Sequence, residues 1–309
     1  MKKNVLITGG TGFIGKQLTR LLLNRGFSVS ILSRSDKKNT KDVSYYKWDV
    51  SKNSIQEAAV LHADYIIHLA GENIAEKRWT ARRKAAIVKS REQSTQLIYS
   101  VLKNNNKKLD AFISASAIGI YGAFNSENIC DESTPAATDF LGIACQKWEA
   151  ATEAIRDLQI RTVQIRTGLV LGKEEGFLSK IAPIFKFGLG AALGSGKQYM
   201  PWIYVTDLCH LYLEAITNSK MNGPYNAAIN DNTTNLLFSK ALAKVYGFKL
   251  WLPNVPSFLI RLGMGEMAKI VLTGQRVSSE KAEQLGFKFE FKKLNVALED
   301  CLISLKNSI

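Results

Sequence analysis

Length, composition and charge limit the kinds of protein that this chain can be. It has 309 residues, 46% of them hydrophobic, and a formal net charge of +14, which excludes a disordered chain and predicts a full hydrophobic core. No apolar run approaches the roughly 18–20 residues of a membrane span, and residues 1–4 leave no room for a signal peptide. The 4 cysteines form no Cys-x-x-Cys pair and the 3 histidines lack metal-ligand spacing, so we expect a cytoplasmic protein with reduced thiols, no metal site and no membrane partner.

Strands and helices alternate through the first half of the sequence. Strands are predicted near residues 4–8, 28–32, 43–47, 64–69, 110–115 and 160–166, and helices near 13–25, 55–60, 80–103 and 139–157. This alternation is typical of an α/β fold whose parallel sheet carries helices on both faces. Right-handed crossovers would make it a doubly wound, Rossmann-type sheet.

Three glycines follow the first strand with the spacing Gly-x-x-Gly-x-x-Gly. Gly9 would allow a sharp turn, Gly12 a close approach of a pyrophosphate to the backbone, and Gly15 close packing of helix on strand. The helix that follows would direct its free N–H groups at the phosphates. The pattern predicts a dinucleotide-binding loop; the alternative is a structural turn. The expected cofactor contacts here are Gly9, Thr11, Gly12, Phe13, Ile14 and Gly15.

The residues after the second strand bear on which dinucleotide would bind. An NAD-binding fold usually has an acidic residue here for the ribose 2′-hydroxyl, whereas this chain has Ser33 and Arg34, and Asp36 comes slightly too late. Arg34 could pair with a 2′-phosphate through two hydrogen bonds. We therefore favour NADP(H) over NAD(H), with a surface arginine as the alternative.

Other strand ends supply further candidates at the same edge of the sheet. Asp49 could accept a hydrogen bond from adenine, and the small residues of the segment Leu69, Ala70 and Gly71 would let the adenosine half lie against the backbone. Ser114 and Ser116 lie at the end of the fifth predicted strand, beside the expected nicotinamide. Ser116 either hydrogen-bonds a substrate oxygen or simply terminates the strand.

One predicted helix is strongly basic. No acidic residue lies between positions 77 and 91, which include Lys77, Arg78, Arg82, Arg83, Lys84, Lys89 and Arg91. This face is either a solvated surface or attracts an anionic cofactor or substrate. Nucleic-acid binding is a weaker alternative, because Trp79 is the single aromatic residue within the cluster.

The pattern changes after about residue 171. A glycine-rich loop is predicted over residues 188–196, a strand over 200–205, and a helix capped by Thr206 and Asp207. From about residue 229 the chain is mainly helical, with Pro253 and Pro256 introducing one helix. We expect a dinucleotide-binding domain over 1–170, with a contribution from about 205–228. Residues 171–309 would form a smaller, mainly helical C-terminal substrate lobe over the carboxyl ends of the strands.

These motifs resemble the extended short-chain dehydrogenases/reductases of the sugar-nucleotide epimerase type, along nearly the whole chain. The matching segments are TGGTGFIG at 8–15, HLAG at 68–71, SAIGIYG at 116–122, RTGLVLG at 166–172, WIYVTD at 202–207, and SEKA with LGF at 279–287. The resemblance implies that Gly168 and Leu169 lie beside the nicotinamide. Further segments resemble one atypical branch of this family, epimerase family proteins that bind NADP(H) and whose C-terminal domain has no assigned function. These segments are AGENI at 70–74, KWEAA at 147–151 and GQRV at 274–277, together with Trp79, Lys84, Ser90 and Arg91.

The chain departs from the family at the catalytic pair. Active members carry Tyr-x-x-x-Lys on the helix after the fifth strand, and the Lys lowers the pKa of the Tyr. Here the segment FLGIACQKWE at 140–149 places Leu141 and Cys145 at those positions. Cys145 could act as a nucleophile or acid, although a buried thiol is usually inert packing. Tyr121 and Lys147 are possible substitutes but lack the required spacing.

Charged residues offer substrate and cofactor contacts. Arg91 stands near the place where the family usually has an Asn, so we expect Arg91, and with less weight Lys84, to contact cofactor or substrate. In the C-terminal lobe the substrate candidates are Lys197, Gln198, Trp202 and Arg276. The resemblance places Arg276 where relatives hold a substrate diphosphate, which implies an anionic small molecule.

Three functions therefore follow from the sequence. The first is an NADP-dependent oxidoreductase or epimerase-like enzyme with a non-standard proton donor, and the second is a non-catalytic NADP(H)-binding sensor or scaffold. The third and most remote is a nucleic-acid-binding protein. By analogy with epimerases, a homodimer would form through the helices near 80–103 and 139–157.

Overall fold

An eight-stranded sheet forms the centre of the computed structural model, which describes residues 2–173 and 175–306. Its strands are β1 (Asn4–Thr8), β2 (Ser28–Ser33), β3 (Val43–Asp49), β4 (Ser54–Ile55), β5 (Tyr65–His68), β6 (Ala111–Ala117), β8 (Thr162–Thr167) and β11 (Gly223–Ala227); β7 (Asn125–Cys130) lies outside it, as do β9 (Leu169–Leu171), β10 (Trp202–Tyr204) and β12 (Gly274–Val277). The sheet order is β11-β8-β6-β5-β1-β2-β3-β4. All pairs are parallel except β3 with β4. The expected α/β, Rossmann-type fold is confirmed.

Helices cover both faces of this sheet and extend into the C-terminal part. They are α1 (Phe13–Asn24), α2 (Ala58–Leu61), α3 (Ala81–Asn104), α4 (Phe140–Arg156), α5 (Phe177–Lys186), α6 (Val205–Thr217), α7 (Asn235–Val245), α8 (Ser257–Met264), α9 (Lys269–Leu272), α10 (Glu280–Gln284) and α11 (Leu294–Lys306). Within the described ranges, no helix is long and apolar enough to cross a membrane.

Alternate residues of β1 explain why the sheet is buried on both sides. Val5 and Ile7 pack into the cluster that contains Leu18 and Leu22 of α1, whereas Leu6 packs into the opposite cluster. That second cluster contains Ile98 of α3. A strand with apolar contacts on both faces reads as a continuous hydrophobic run, as the first strand does.

The strand order reverses between β1 and β5. From β1 the chain proceeds outward through β2 and β3, and it then returns to the other side of β1 with β5. In open α/β sheets, ligands bind at the carboxyl ends of the strands beside such a switch point. Here that point lies between the glycine loop after Thr8 and the segment after His68.

Two local expectations are corrected. The helix expected near 55–60 is replaced by β4 and the four-residue α2, because Ser54 and Ile55 pair with the end of β3. Helix α6 begins at Val205, and Asp207 does not cap it. Its carboxylate instead accepts hydrogen bonds from the backbone N–H groups of Glu290 and Phe291, at 2.8 and 3.0 Å.

Two strand pairs join the C-terminal part to earlier strands of the chain. β11 pairs with β8 at the edge of the main sheet, and β12 pairs with β7 in a separate two-stranded sheet. β9 and β10 form another such pair. The predicted strand near 200–205 is therefore observed as Trp202–Tyr204, and Pro256 directly precedes α8 as expected.

Candidate functional site

The glycine loop is wound tightly against the start of α1. Gly9 has a φ of +70°, a backbone conformation that glycine adopts without strain. A Cβ at Gly15 would lie 2.4 Å from the carbonyl oxygen of Gly9, so this position accepts no side chain. Gly12 precedes the helix and no side chain of the described residues caps it. The N–H groups of the first turn therefore remain available for a ligand.

The three other residues predicted in this loop have different surroundings. Thr11 is exposed. The ring of Phe13 packs closely under Gly172, where a Cβ would lie 2.4 Å from it. Ile14 packs against the core. Phe13 and Ile14 thus hold the loop against the rest of the protein, while the exposed backbone around Thr11 and Gly12 faces solvent.

A buried histidine locks the two loops at the switch point together. The Nδ1 atom of His68 shares a hydrogen bond of 2.8 Å with the hydroxyl of Thr8, and its Nε2 shares one of 3.0 Å with Ser94. The Thr8 hydroxyl also accepts a hydrogen bond from the backbone N–H of Ala70. Burial lowers the pKa of His68 to about 3, so the ring is neutral. Sequence reasoning missed this lock, although polar residues at both strand ends were a signal for it.

The lock brings the predicted segment 69–71 beside the glycine loop. A Cβ at Gly9 would lie 3.1 Å from the carbonyl carbon of Leu69 and 3.2 Å from the nitrogen of Ala70. Gly71 is exposed and lies next to the guanidinium of Arg91. The structure therefore unites the first-loop glycines with the residues that follow β5.

The end of β2 presents a free arginine side chain. Ser33 is buried and donates a hydrogen bond to the carbonyl of Ser35, which shapes the turn, and Arg34 between them is exposed. The nearest carboxylate in sequence, Asp36, pairs with Lys47 at 2.7 Å. Asp49 lies at the end of β3, where its carboxylate accepts hydrogen bonds from Ser51 that lower its pKa.

Arg91 is the cation best placed at the switch point. Its guanidinium stacks 4.6 Å from the ring of Trp148 and lies against Gly71. Among the described residues it donates one hydrogen bond, to the carbonyl of Ile87. Burial lowers its pKa, yet an arginine keeps its charge. The remaining N–H groups are available to an anion beside Gly71.

Three of the other six cations of the basic cluster are engaged within the protein. Lys84 pairs with Glu266 of the C-terminal part, and its contact with the cofactor stays a prediction. Arg83 pairs with Glu72 at 2.7 Å, and Arg78 donates to the carbonyls of Leu262 and Gly263. These contacts tie the start of α3 to α8.

A buried ion pair occupies the region expected to hold the proton donor. Arg166 contacts both carboxylate oxygens of Glu149 at 2.9 Å, and the Ser116 hydroxyl donates to the same carboxylate at 2.6 Å. Tyr121 donates to Asn226 and accepts from Arg166. Burial raises the pKa of Tyr121 to about 12. Both hydroxyls have partners within the protein, and the catalytic role of Ser116 and Tyr121 stays a prediction.

The two positions that the resemblance aligns with the family's catalytic Tyr and Lys hold an apolar side chain and a buried thiol. Leu141 packs in a cluster with Trp79, Ile87 and Met267, which joins α3, α4 and the C-terminal part. Cys145 is buried, and burial raises its pKa to about 12. A thiol with that pKa is protonated at neutral pH and is a poor nucleophile, which argues against the predicted catalytic role of Cys145.

Several further predicted contacts have structural partners instead. The Gln198 side-chain amide donates to the carbonyls of Leu193 and Val271, and the Trp202 indole donates to Asp231 at 3.0 Å. Both side chains are buried and help to hold the C-terminal part together, and their contact with substrate stays a prediction. The hydroxyl of buried Ser114 donates to a neighbouring carbonyl.

The remaining predicted residues lie around the C-terminal part. Gly168 packs so closely on Pro201 that a Cβ would lie 2.6 Å from its carbonyl oxygen, and Leu169 pairs with Trp202 between β9 and β10. Lys197 is exposed and Arg276 is partly exposed on β12. A cavity of about 480 Å³ opens nearby, lined among others by Asn125, Ser195, Ser257, Arg261, Glu266 and Lys269.

One group of possible metal ligands occurs within the described residues. Side-chain oxygen and nitrogen atoms of Asp207, His210 and Glu290 lie within 4.8 Å of one another. Both oxygens of Asp207, however, accept backbone hydrogen bonds. The cluster is thus explained by the packing of α6, and we assign no metal to it.

The fold and this site define a Rossmann-type α/β protein with a glycine loop at the switch point of its sheet. Residues 5–228 match the model of the NAD dependent epimerase/dehydratase family, and residues 255–301 match a domain of unknown function, DUF1731. The chain belongs to the NAD dependent epimerase/dehydratase family. The expected branch, epimerase family proteins whose C-terminal domain has no assigned function, is confirmed.

Relatives of similar length share this arrangement. The chain is 34% identical to epimerase family protein YfhF of Bacillus subtilis over 304 residues, which cover 98% of this chain and 99% of that one. A solved structure of human epimerase family protein SDR39U1 with NADPH is 30% identical, with a TM-score of 0.86 over 96% of this chain and 98% of that one. UDP-glucose 4-epimerase of Thermotoga maritima, solved with UDP-glucose, is 21% identical (TM-score 0.78, 99% of both chains) and shows the fold alone.

Proposed function

We propose that the protein binds NADP(H) at the glycine loop and acts as an oxidoreductase or epimerase-like enzyme on a small anionic substrate. The observation that carries the proposal is the loop itself. Gly9 and Gly15 take a shape that excludes side chains, and the uncapped start of α1 leaves its N–H groups free for a pyrophosphate. When bound there, the nicotinamide would supply or accept a hydride.

Arg34 supports NADP(H) over NAD(H). Its side chain is exposed directly after β2, where a 2′-phosphate would lie, and Asp36 is already paired with Lys47. A guanidinium can hold a phosphate with two charge-assisted hydrogen bonds. The NADPH in the SDR39U1 structure agrees with this choice, although a Thermus thermophilus UDP-glucose 4-epimerase was solved with NAD.

A thermal-shift titration with NADPH and NADH tests the cofactor. We expect NADPH to raise the melting temperature more, because the tighter ligand stabilises the folded state more at equal concentration. Arg34→Ala should weaken NADPH about tenfold, near the lower end for a hydrogen bond to a charged group, and leave NADH unchanged. Arg25→Ala, which removes another exposed arginine at the end of α1, is the control. Equal stabilisation by both cofactors would overturn the choice of NADP(H).

Arg91 is proposed as the cation on the reacting side. It lies beside Gly71 with N–H groups to spare, so it would bind a carboxylate or phosphate oxygen of the substrate or cofactor. Ser116, Tyr121 and Cys145 are all engaged or buried. Without the usual tyrosine, catalysis would rest on positioning the substrate against the nicotinamide. We expect Arg91→Met to keep an apolar contact with Trp148, to lose the charge, and to abolish NADPH turnover on carbonyl and sugar-nucleotide substrates.

A non-catalytic NADP(H)-binding sensor or scaffold is the second candidate. It is favoured by the apolar cluster of Leu141, Trp79 and Met267, which covers the place of the missing proton donor. NADPH binding without turnover on a broad panel of carbonyl and sugar-nucleotide substrates would support this function and contradict the enzyme. Restoring the pair with Leu141→Tyr and Cys145→Lys should then create no activity.

A further inference from the structure

Two segments of the C-terminal half contain no acidic residue. Residues 176–206 and 232–265 carry seven cations and neither Asp nor Glu: Lys180, Lys186, Lys197, Lys240, Lys244, Lys249 and Arg261. Much of the net charge of +14 is therefore concentrated on these two stretches of chain. Their surfaces attract an anionic partner.

The same segments expose large apolar side chains. Phe187 and Leu262 are each 74% exposed, Phe258 is 68% exposed and Trp251 is 67% exposed. We call the following residues the apolar patch: Ile184, Phe187, Leu189, Phe248, Trp251, Phe258, Leu259 and Leu262. Single exposed apolar residues are ordinary, but a group of this size marks an interaction surface.

Backbone contacts hold the two segments side by side. The Trp251 indole donates a hydrogen bond of 2.9 Å to the carbonyl of Gly188, and a Cβ at Gly188 would lie 3.0 Å from the ring of Phe248. Farther along, the N–H of Val255 donates to the carbonyl of Ala192 at 2.8 Å, and Ser257 at the start of α8 lies against Gly194. The apolar patch is therefore carried on a fixed framework.

We propose that the apolar patch and its surrounding lysines attach the protein to an anionic lipid surface. Phe, Trp and Leu side chains insert into the boundary between headgroups and acyl chains, and Lys and Arg around them bind the acidic headgroups. A nucleic acid would bind the lysines through its phosphates but would leave the exposed aliphatic side chains without a partner. This contact lies in the plane of the membrane surface and needs no spanning helix. The prediction of no membrane partner rested on the lack of a spanning segment and did not address binding at the surface.

Co-sedimentation with lipid vesicles tests the proposal on the full chain. We expect binding to vesicles that contain phosphatidylglycerol, weaker binding at high salt, and little binding to pure phosphatidylcholine. Headgroup attraction is screened by salt, which explains the second expectation. Equal binding to both vesicle types, or none to either, would overturn the proposal.

Tryptophan fluorescence locates the contact, because the other four tryptophans, Trp48, Trp79, Trp148 and Trp202, are at most 7% exposed. Anionic vesicles should shift the emission to shorter wavelength as Trp251 leaves water. Trp251→Phe should keep most of the vesicle binding and lose the shift. A shift that persists in this variant would contradict the assigned surface.

Two substitutions at the most exposed positions measure the apolar part. Phe187→Ser and Leu262→Ser should each reduce vesicle partitioning about tenfold, as expected for withdrawing one large apolar side chain from a nonpolar phase. Val296→Ser is the matched control, because it removes a 50% exposed apolar side chain from α11, outside the apolar patch. The NADPH-induced thermal shift should remain in all three variants, which shows that they are folded.

Self-association is the competing outcome. If light scattering shows a dimer that Leu262→Ser dissociates, and vesicles do not bind, the apolar patch is covered by a second copy and the proposal is overturned. Lys249→Glu separates the charge contribution: it should weaken binding to anionic vesicles alone. An unchanged affinity for them would contradict the electrostatic part of the proposal.

Discussion

The glycine loop and the first turns of α4 lie at the same edge of the sheet, yet they are built in opposite ways. The loop presents backbone: Gly9 and Gly15 cannot carry side chains, and the N–H groups beyond Gly12 are free. At α4, side chains fill the space, with Leu141 in an apolar cluster and Cys145 buried. The segment that would hold a dinucleotide and the segment expected to move a proton are thus separate parts of this fold. The sequence of α4 can change while the glycine loop stays the same.

The largest effect is expected from the ion pair beneath α4. Glu149→Gln leaves the charge of Arg166 buried without its carboxylate, and breaking a buried pair in this way costs about 3–5 kcal/mol. Denaturant unfolding measures the loss. Arg156→Gln breaks the exposed pair with Glu153 on the same helix and should cost about 1 kcal/mol or less. Equal losses of unfolding free energy in the two variants would show that the Glu149–Arg166 pair does not stabilise the protein as a buried ion pair.

Gly15→Ala should have the next largest effect and act on the loop. The added Cβ meets the Gly9 carbonyl oxygen at 2.4 Å, and overpacking of this kind costs about 1–3 kcal/mol. The loop must move, so the NADPH-dependent thermal shift should disappear as well. Gly263→Ala is the control, since no atom lies within 4 Å of its added Cβ. Retained NADPH binding in Gly15→Ala would contradict the proposed site.

Acidification should weaken the lock that joins the two loops. Burial lowers the pKa of His68 to about 3, whereas an unfolded histidine titrates near 6.5. Below pH of about 6.5 the unfolded state binds the proton and the folded state does not, so stability falls by up to about 1.4 kcal/mol per pH unit toward pH 3. The free energy of unfolding between about pH 5 and 6.5 should therefore depend less on pH in His68→Asn. The same dependence of unfolding free energy on pH in the unsubstituted protein and in His68→Asn would show that His68 does not cause the loss of stability in acid.

The smallest effect is expected at Cys145. All four cysteines are buried, and burial raises the pKa of Cys145 to about 12. A thiol reagent should label the folded protein slowly and the denatured protein at four sites. Cys145→Ala should leave NADPH affinity essentially unchanged. Rapid labelling of Cys145 in the folded state, identified by mass spectrometry, would show a reactive thiol and support its predicted catalytic role.

The sheet and the glycine loop were predictable because their signals are local. Val5, Leu6 and Ile7 form a buried run, and the glycines that follow need no partner elsewhere in the sequence to define their role. The departure at Leu141 and Cys145 rests on the alignment that the resemblance provides, and it stays a prediction.

Contacts between distant segments were not predictable. Lys84 meets Glu266, and Arg78 meets the carbonyls of Leu262 and Gly263, across more than 180 positions. Trp202 was predicted to contact substrate, yet it lies in the strand pair of β9 and β10 and is buried. A polar or aromatic residue in a sequence does not show whether its partner is a ligand or another part of the same chain.

The pairing of β7 with β12 has a consequence for how the chain folds as it is synthesised. β7 ends at Cys130, while β12 begins at Gly274. The partner strand therefore emerges from the ribosome more than a hundred residues later, and β11 of the main sheet also arrives late. Strand pairing over such separations is slow and exposes unpaired edges in the meantime. The main sheet is complete once β11 has been made, whereas β7 stays without its partner strand until the final fifth of the sequence emerges.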